Sequence, residues 1–283
     1  EREDVIQDLR REVTEMWETD EVRHQRPTPT DEAKSGFVVF EQTLWDAMPR
    51  YCRQLDRAMR NHLDRALPLD VAPIRFGSWM GGDRDGNPTV TPEVTRTVCL
   101  LARWLAADLY LKEVEHLREE LSLHEATPEL TARTGGAREP YRELLRDVRE
   151  RLRDTKLSLE PEINGKPAAS ELRRSEELLE PLMLCYRSLL ETGNDVVAGG
   201  RLTDVIRRVA CFGLTLVRLD IRQDSARHTE ALDTITRSLG LGSYAAWNET
   251  QRQEFLVREL GNPRPLVPPG LEAGPDVRDV LDT

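Results

Sequence analysis

Cysteine is scarce in this 283-residue chain, and its four copies, Cys52, Cys99, Cys185 and Cys211, are scattered without a CxxC spacing. That pattern argues against a zinc centre or a disulfide framework and reads as reduced, mostly buried thiols of a cytosolic protein. No apolar run reaches the roughly 18 residues that a membrane span needs, and no signal peptide is visible. Positive charge is in deficit: 40 Lys and Arg stand against 51 Asp and Glu, a net charge of −11. Phosphate-backbone binding needs a basic face, so nucleic acid is excluded as a partner. The chain has no Gly-x-Ser-x-Gly, no P-loop, no dinucleotide fingerprint and no internal repeat. It starts at Glu1 inside a charged helix-like run and stops at Thr283 without a closing feature, so an internal piece of a longer chain is expected.

What is present is mostly helical periodicity. Val5, Leu9, Val13 and Met16 recur at helical spacing over 1–18, and Pro27 and Pro29 break that run. A second helix is expected from Asp31 to Pro49, and a third over 50–66 with Tyr51, Leu55, Met59 and Leu63 on one stripe. Thr91 and Pro92 suit the N-cap and first position of a long helix reaching Leu121. Pro128 opens a short helix, Pro140 another to about 158, and further helices follow near 170–192, 201–211, 226–240, 243–248 and 249–260. The stretch 161–170 reads as an exposed, flexible connector, and 262–275 as loop.

Two segments read as strand. Ile74-Arg-Phe76 is short. Leu214 to Arg222 alternates apolar and polar after Val217, which would put Arg218, Asp220 and Arg222 on one face. A strand with one charged face in a helical chain suggests a sheet or barrel wall beside a polar cavity.

The densest chemistry lies in Phe76-Gly-Ser-Trp-Met-Gly-Gly-Asp-Arg-Asp-Gly-Asn-Pro-Thr-Val90. Gly81 and Gly82 allow a tight turn or a close backbone approach. Trp79 offers an aromatic wall, and Asp83, Arg84 and Asp85 balance charge locally. The bland alternative is a turn whose polar side chains bond their own backbone.

This segment closely resembles a signature of phosphoenolpyruvate carboxylases. Phe212 to Glu230, reading FGLTLVRLDIRQDSARHTE, resembles a second stretch of those enzymes. Shorter blocks agree in order: Thr19 to Arg23, Arg26 to Glu32, Glu139 to Arg142 and Cys211 to Gly213. The resemblance covers essentially the whole chain. It implies a mainly α fold, with helices wrapping a few short strands of an incomplete β-barrel. Residues 1–283 would then be an internal fragment of one large α-helical and barrel enzyme domain.

The implied parent is a Mg²⁺-dependent, cytoplasmic carboxy-lyase that forms oxaloacetate and phosphate from phosphoenolpyruvate and bicarbonate, and a homo-oligomer. In the resemblance, Arg222 lies in the phosphoenolpyruvate pocket and Trp79 in the apolar pocket near bicarbonate and carbon dioxide. Gly81, Gly82, Asp83, Arg84, Asp85 and Asn87 shape the loop between them. Arg23 and Arg142 match arginines that help bind an activating sugar phosphate in some members. The residue readings beside these are an internal salt bridge for Arg222, a core aromatic for Trp79 and ordinary helix-surface arginines for Arg23 and Arg142. Arg218 reads as structural, and His228 as a helix-start histidine bonded within the fold. No metal ligand is assigned here, because the family's metal carboxylates and its catalytic histidine motif match no part of this sequence. The isolated chain is therefore expected to be inactive. The alternative from another class is a non-catalytic helical scaffold or interaction module, with Trp79 and Arg222 packed away.

Overall fold

A computed structural model describes residues 2–19, 27–164 and 172–283. The fold is mainly helical. Its elements are α1 (Arg2–Glu18), α2 (Pro29–Val39), α3 (Trp45–Leu63), β1 (Gly77–Ser78), α4 (Pro92–Glu120), α5 (Pro128–Arg133), α6 (Pro140–Asn164), α7 (Ser175–Glu191), α8 (Asp195–Ala198), α9 (Arg201–Phe212), β2 (Arg218–Leu219), α10 (Ser225–Ser238), α11 (Glu249–Leu260) and α12 (Pro275–Leu281).

Helix starts follow local chemistry. Thr91 accepts from the Val94 amide and Thr127 from the Leu130 amide, each ahead of a proline at the first helical turn. Thr28 and Asp31 form a reciprocal capping box, and the Thr28 hydroxyl and amide hold the Asp31 carboxyl below its usual range.

Pro49 does not end the second helix as expected. A π-helical turn, Phe40–Leu44, joins α2 to α3, and α3 runs through Pro49 to Leu63. Proline lacks the N–H that would bond the Trp45 carbonyl. That oxygen instead accepts from Arg208 Nε at 2.8 Å. The stripe of α3 is also rotated from the expected one. Met48 and Cys52 are buried and Leu55 and Met59 pack against the core, while Tyr51 and Leu63 face outward.

α4 and α6 form the longest helix pair, and it is antiparallel. Trp104 donates to Glu160, Asp108 pairs with Lys156 at 2.8 Å, and Glu115 pairs with Arg149 at 2.6 Å, so the partners run in opposite order. The apolar core extends from Ala33 to Val217. Within it the rings of Trp45, Phe76 and Phe212 stack, 5.3 Å between Trp45 and Phe212 and 5.6 Å between Phe76 and Phe212. Phe76 thereby roots β1 in the core.

The strand expected over 214–222 is shorter. β1 and β2 pair in parallel, Gly77 opposite Arg218 and Ser78 opposite Leu219, with one isolated bridge between Asp83 and Arg222. Leu214, Leu216 and Val217 are all buried. Gly213 at φ 58° and Leu216 at φ 63° turn the chain so that neighbours enter the core together, which a period-2 strand cannot do. Residues 74–76 lead into β1 as irregular backbone. Among the described residues these two strands and the bridge are the β-structure, so the chain itself is mainly α rather than a visible part-barrel.

After β2 the chain builds a second helical group. Ala231, Ile235, Tyr244, Phe255, Leu271 and Val277 are its buried apolar residues, and none belongs to the main core cluster. α12, which the sequence reading left out, packs on α10. The connector expected at 161–170 overlaps the end of α6 at 161–164, and its residues 165–170 lie outside the described residues.

Candidate functional site

Two backbones touch where the glycine-rich loop meets the chain after β2. Phe76 O accepts from the Arg218 amide at 3.4 Å, Ser78 O from Asp220 at 2.8 Å and Gly82 O from Arg222 at 2.8 Å. The Arg84 amide then donates to Arg222 O at 2.9 Å. A Cβ at Gly82 would lie 2.4 Å from the Asp220 carbonyl oxygen, so only glycine permits this approach. Gly81 has φ 81°, and a Cβ there would strike Val98 of α4 at 2.6 Å. The Trp79 carbonyl accepts from both the Gly82 and Asp83 amides, each at 2.9 Å, which curls the loop. Thr95 Oγ1 donates to Gly81 O at 2.7 Å and docks the turn on the start of α4.

This frame brings the two principal sequence candidates together. The Arg222 guanidinium carbon stands 5.0 Å from the Trp79 ring centroid. Trp79 is 55% exposed, and the Arg222 side chain is 50% exposed. Asp83 reaches Arg222 only at 4.0 Å, a loose pair across a half-wet gap. Most of the Arg222 fork therefore faces outward beside an exposed apolar plane. Neither residue is packed away.

The other candidates fall in different places. Arg84 is buried and bonds inside the fold. Asn87 Oδ1 accepts from the Thr89 amide and hydroxyl, which shapes the turn, and Asp85 is exposed at its tip. Arg218 lines a separate cavity of about 260 Å³ with Arg75, Phe76 and Glu176. Arg142 on α6 pairs with Glu139 at 3.1 Å, and Glu139 also accepts from Ser122, which with Arg142 holds its carboxyl low. Arg23 lies outside the described residues. His228 is exposed near the start of α10, where its amide donates to Asp224 O. Cys52, Cys185 and Cys211 are buried free thiols and Cys99 is exposed. Burial pushes Cys185 and Cys211 up to about 12, so neither is a ready nucleophile.

Sequence reasoning missed Asp279. It meets Arg84 from α12 across 195 residues of chain, and it helps line a cavity of about 490 Å³ with Asn87, Gln223 and Arg227. No local signal could have paired them. No group of three or more His, Cys, Asp or Glu among the described residues could hold a metal ion.

A half-exposed guanidinium fork beside an indole face, set on a glycine-dependent backbone contact, can receive a small anion that also presents an apolar side. The class defined by fold and site is a mainly α protein with such an exposed arginine–tryptophan pair at the end of a short parallel ladder. A family model described as phosphoenolpyruvate carboxylase matches residues 1–283, and the chain belongs to that family. It is 52% identical to the phosphoenolpyruvate carboxylase of Hahella chejuensis over 99% of this chain and 32% of that protein. It is 52% identical to the namesake of Marinobacter nauticus over 100% of this chain and 32% of that one, and 52% identical to that of Salmonella typhi over 100% and 33%. The chain thus spans about a third of the length of the curated relatives it matches. No helix among the described residues is long and apolar enough to cross a membrane.

Proposed function

We propose that this chain is the segment of a longer phosphoenolpyruvate carboxylase that contributes Arg222 and Trp79 to the reaction pocket. The parent is a cytoplasmic homo-oligomer joining phosphoenolpyruvate and bicarbonate. A bicarbonate oxygen attacks phosphorus, the bond from phosphorus to the enol oxygen breaks, and carboxyphosphate and the enolate of pyruvate result. Carboxyphosphate releases carbon dioxide and phosphate, and the enolate carbon then bonds carbon dioxide to give oxaloacetate. Arg222 presents its fork to the phosphate oxygens. Trp79 walls the pocket and keeps water from the enolate. The observation that carries this reading is the pair itself, 5.0 Å apart and open on one side. A packed scaffold would instead bury or neutralise both.

Magnesium is assigned to the parent's remaining segments, because the family's metal carboxylates match no part of this sequence. Residues 1–283 form part of one large domain, and β1 and β2 would continue into a barrel completed by the rest of the parent. Arg142, and Arg23, are offered as effector contacts for an activating sugar phosphate. The isolated chain, without the rest of the site, is inactive.

The test uses the full-length parent. Arg222→Ala removes a charged hydrogen bond worth roughly 1.5–3 kcal/mol, so kcat/KM for phosphoenolpyruvate should fall by about one to two decades. Trp79→Ala should instead release more phosphate than oxaloacetate. Tight coupling in Trp79→Ala, or an unaltered phosphoenolpyruvate response in Arg222→Ala, refutes the corresponding role.

A further inference from the structure

Arg84 faces two ways. Its amide belongs to the ladder, donating to Arg222 O at 2.9 Å. Its side chain, 4% exposed, turns away from that ladder. Nε donates to Val90 O at 3.1 Å, at the exit of the loop. Nη1 donates to Asp279 O at 2.7 Å and to the Thr283 hydroxyl, and Nη2 donates to Asp279 Oδ2. Asp279 O, on α12, also accepts from the Thr283 hydroxyl at 2.9 Å. Arg84 therefore ties together the ladder through its amide and, through its guanidinium, the loop exit and a helix from the second group.

The loop has little else on that side. Residues 85–89 are exposed, and Gly86 takes φ 67°. Its backbone–backbone bonds, from the Asn87 amide to Arg84 O and from the Val90 amide to Asn87 O, are long at 3.3 Å and 3.2 Å, beside one short side-chain bond from Thr89 Oγ1 to Asn87 Oδ1 at 2.6 Å. The charges of the clasp are also unequal. Asp279 is 41% exposed and would return to water, whereas Arg84 without Asp279 would be a buried cation short of its anion.

We propose that Arg84 and Asp279 are positioning residues: their clasp fixes the 79–90 loop and so sets where the Trp79 indole stands over Arg222. Asp279 acts on the pocket through Arg84, without touching the reactants. This rests on the role of the Trp79–Arg222 pair proposed above.

The experiment measures phosphate released and oxaloacetate formed by the full-length parent, together with KM for both substrates. The ratio and the KM values do not depend on how much enzyme is folded, so a purely structural role would not move them. Asp279→Ala should raise the phosphate-to-oxaloacetate ratio at least threefold. Asp279→Glu, which keeps the carboxylate, should stay within twofold of wild type. If Asp279→Ala does not fold, Asp279→Asn keeps the shape and an oxygen acceptor and should raise the ratio in the same direction. Wild-type ratio and KM values in the folded Ala or Asn variant overturn the clasp alone. A wild-type parent that forms no oxaloacetate overturns the reading of the pocket, and the clasp's role with it.

Discussion

The helices up to α9 and the helices after β2 are held by different forces. In the first group an apolar cluster runs from Ala33 to Val217, and buried arginines close open carbonyls inside it. Arg207 donates to the Leu67 and Pro68 carbonyls, and Arg208 donates to Trp45 O while pairing with Glu113 at 3.2 Å and Asp46 at 3.0 Å. The second group buries few apolar side chains. It is organised instead around Asp233, which accepts from Ser243 Oγ at 2.6 Å, the Ala245 amide at 3.0 Å and Arg237 Nε at 2.7 Å. A small cluster of Tyr244, Trp247 and Phe255 completes it. The Trp79–Arg222 pair sits at the seam. The apolar group supplies its footing through Phe76 and Thr95, and the polar group supplies one clasp, so an exposed loop is held from both sides without being buried.

The sharpest break should come from the first group. Arg208→Ala leaves the buried Trp45 carbonyl without its guanidinium donor and Glu113 with only Arg201 and the Trp45 indole, and an unsatisfied buried acceptor costs roughly 1–3 kcal/mol. Urea unfolding of the 283-residue chain should show that loss across the whole first group. A change near zero would mean that Arg208 is not structurally needed.

Phe255→Ala should act within the second group only. Amide exchange should rise across Glu249–Leu260 while the amides of α4 and α6 keep their protection. Equal loss in both groups would erase the distinction drawn here.

Acid should loosen the second group through Asp233. The Ser243 hydroxyl, joined by the Ala245 amide and Arg237, outweighs burial and holds this carboxyl below its usual range. Its folded pKa lies below the unfolded value of about 3.9. The contribution is therefore complete above about pH 4 and disappears as pH falls further. Exchange at α10 should rise on that descent, and Asp233→Asn should flatten the dependence while weakening the group at neutral pH. An unchanged acid profile in the variant would remove Asp233 from its central place.

The smallest effect is expected at α1. Leu9, Val13 and Met16 are 59%, 63% and 72% exposed, and α1 buries nothing. Leu9→Ser should leave stability within about 0.5 kcal/mol. A larger loss by urea unfolding would show that α1 supports one of the two groups.

Much of the helical layout was legible, because helix starts are written locally. Thr91-Pro92 and Thr127-Pro128 state their caps within four residues. The Gly81-Gly82 loop and its neighbour Trp79 were also readable as a tight turn beside an aromatic wall, whereas Arg222 was joined to them only through the family resemblance. Three readings failed for one reason. The stripe of α3, the stop at Pro49 and the long strand over 214–222 were all judged from near neighbours. Which face of α3 is covered depends on α9, as does the fate of the Trp45 carbonyl. Burial of Leu214, Leu216 and Val217 together depends on the core that receives them.

The sequence by itself determined a mainly helical chain, an acidic composition, and a glycine-rich loop at Gly81-Gly82 able to turn tightly or admit another backbone. Those properties reside in residue type and short spacing. Tertiary structure alone decided that Arg222 leans on Trp79 rather than on Asp220 or Asp224, that Arg208 replaces the hydrogen bond lost at Pro49, and that Asp279 reaches Arg84. Each depends on a partner from another part of the chain, and the energy of such a contact exists only once packing has brought both groups out of water.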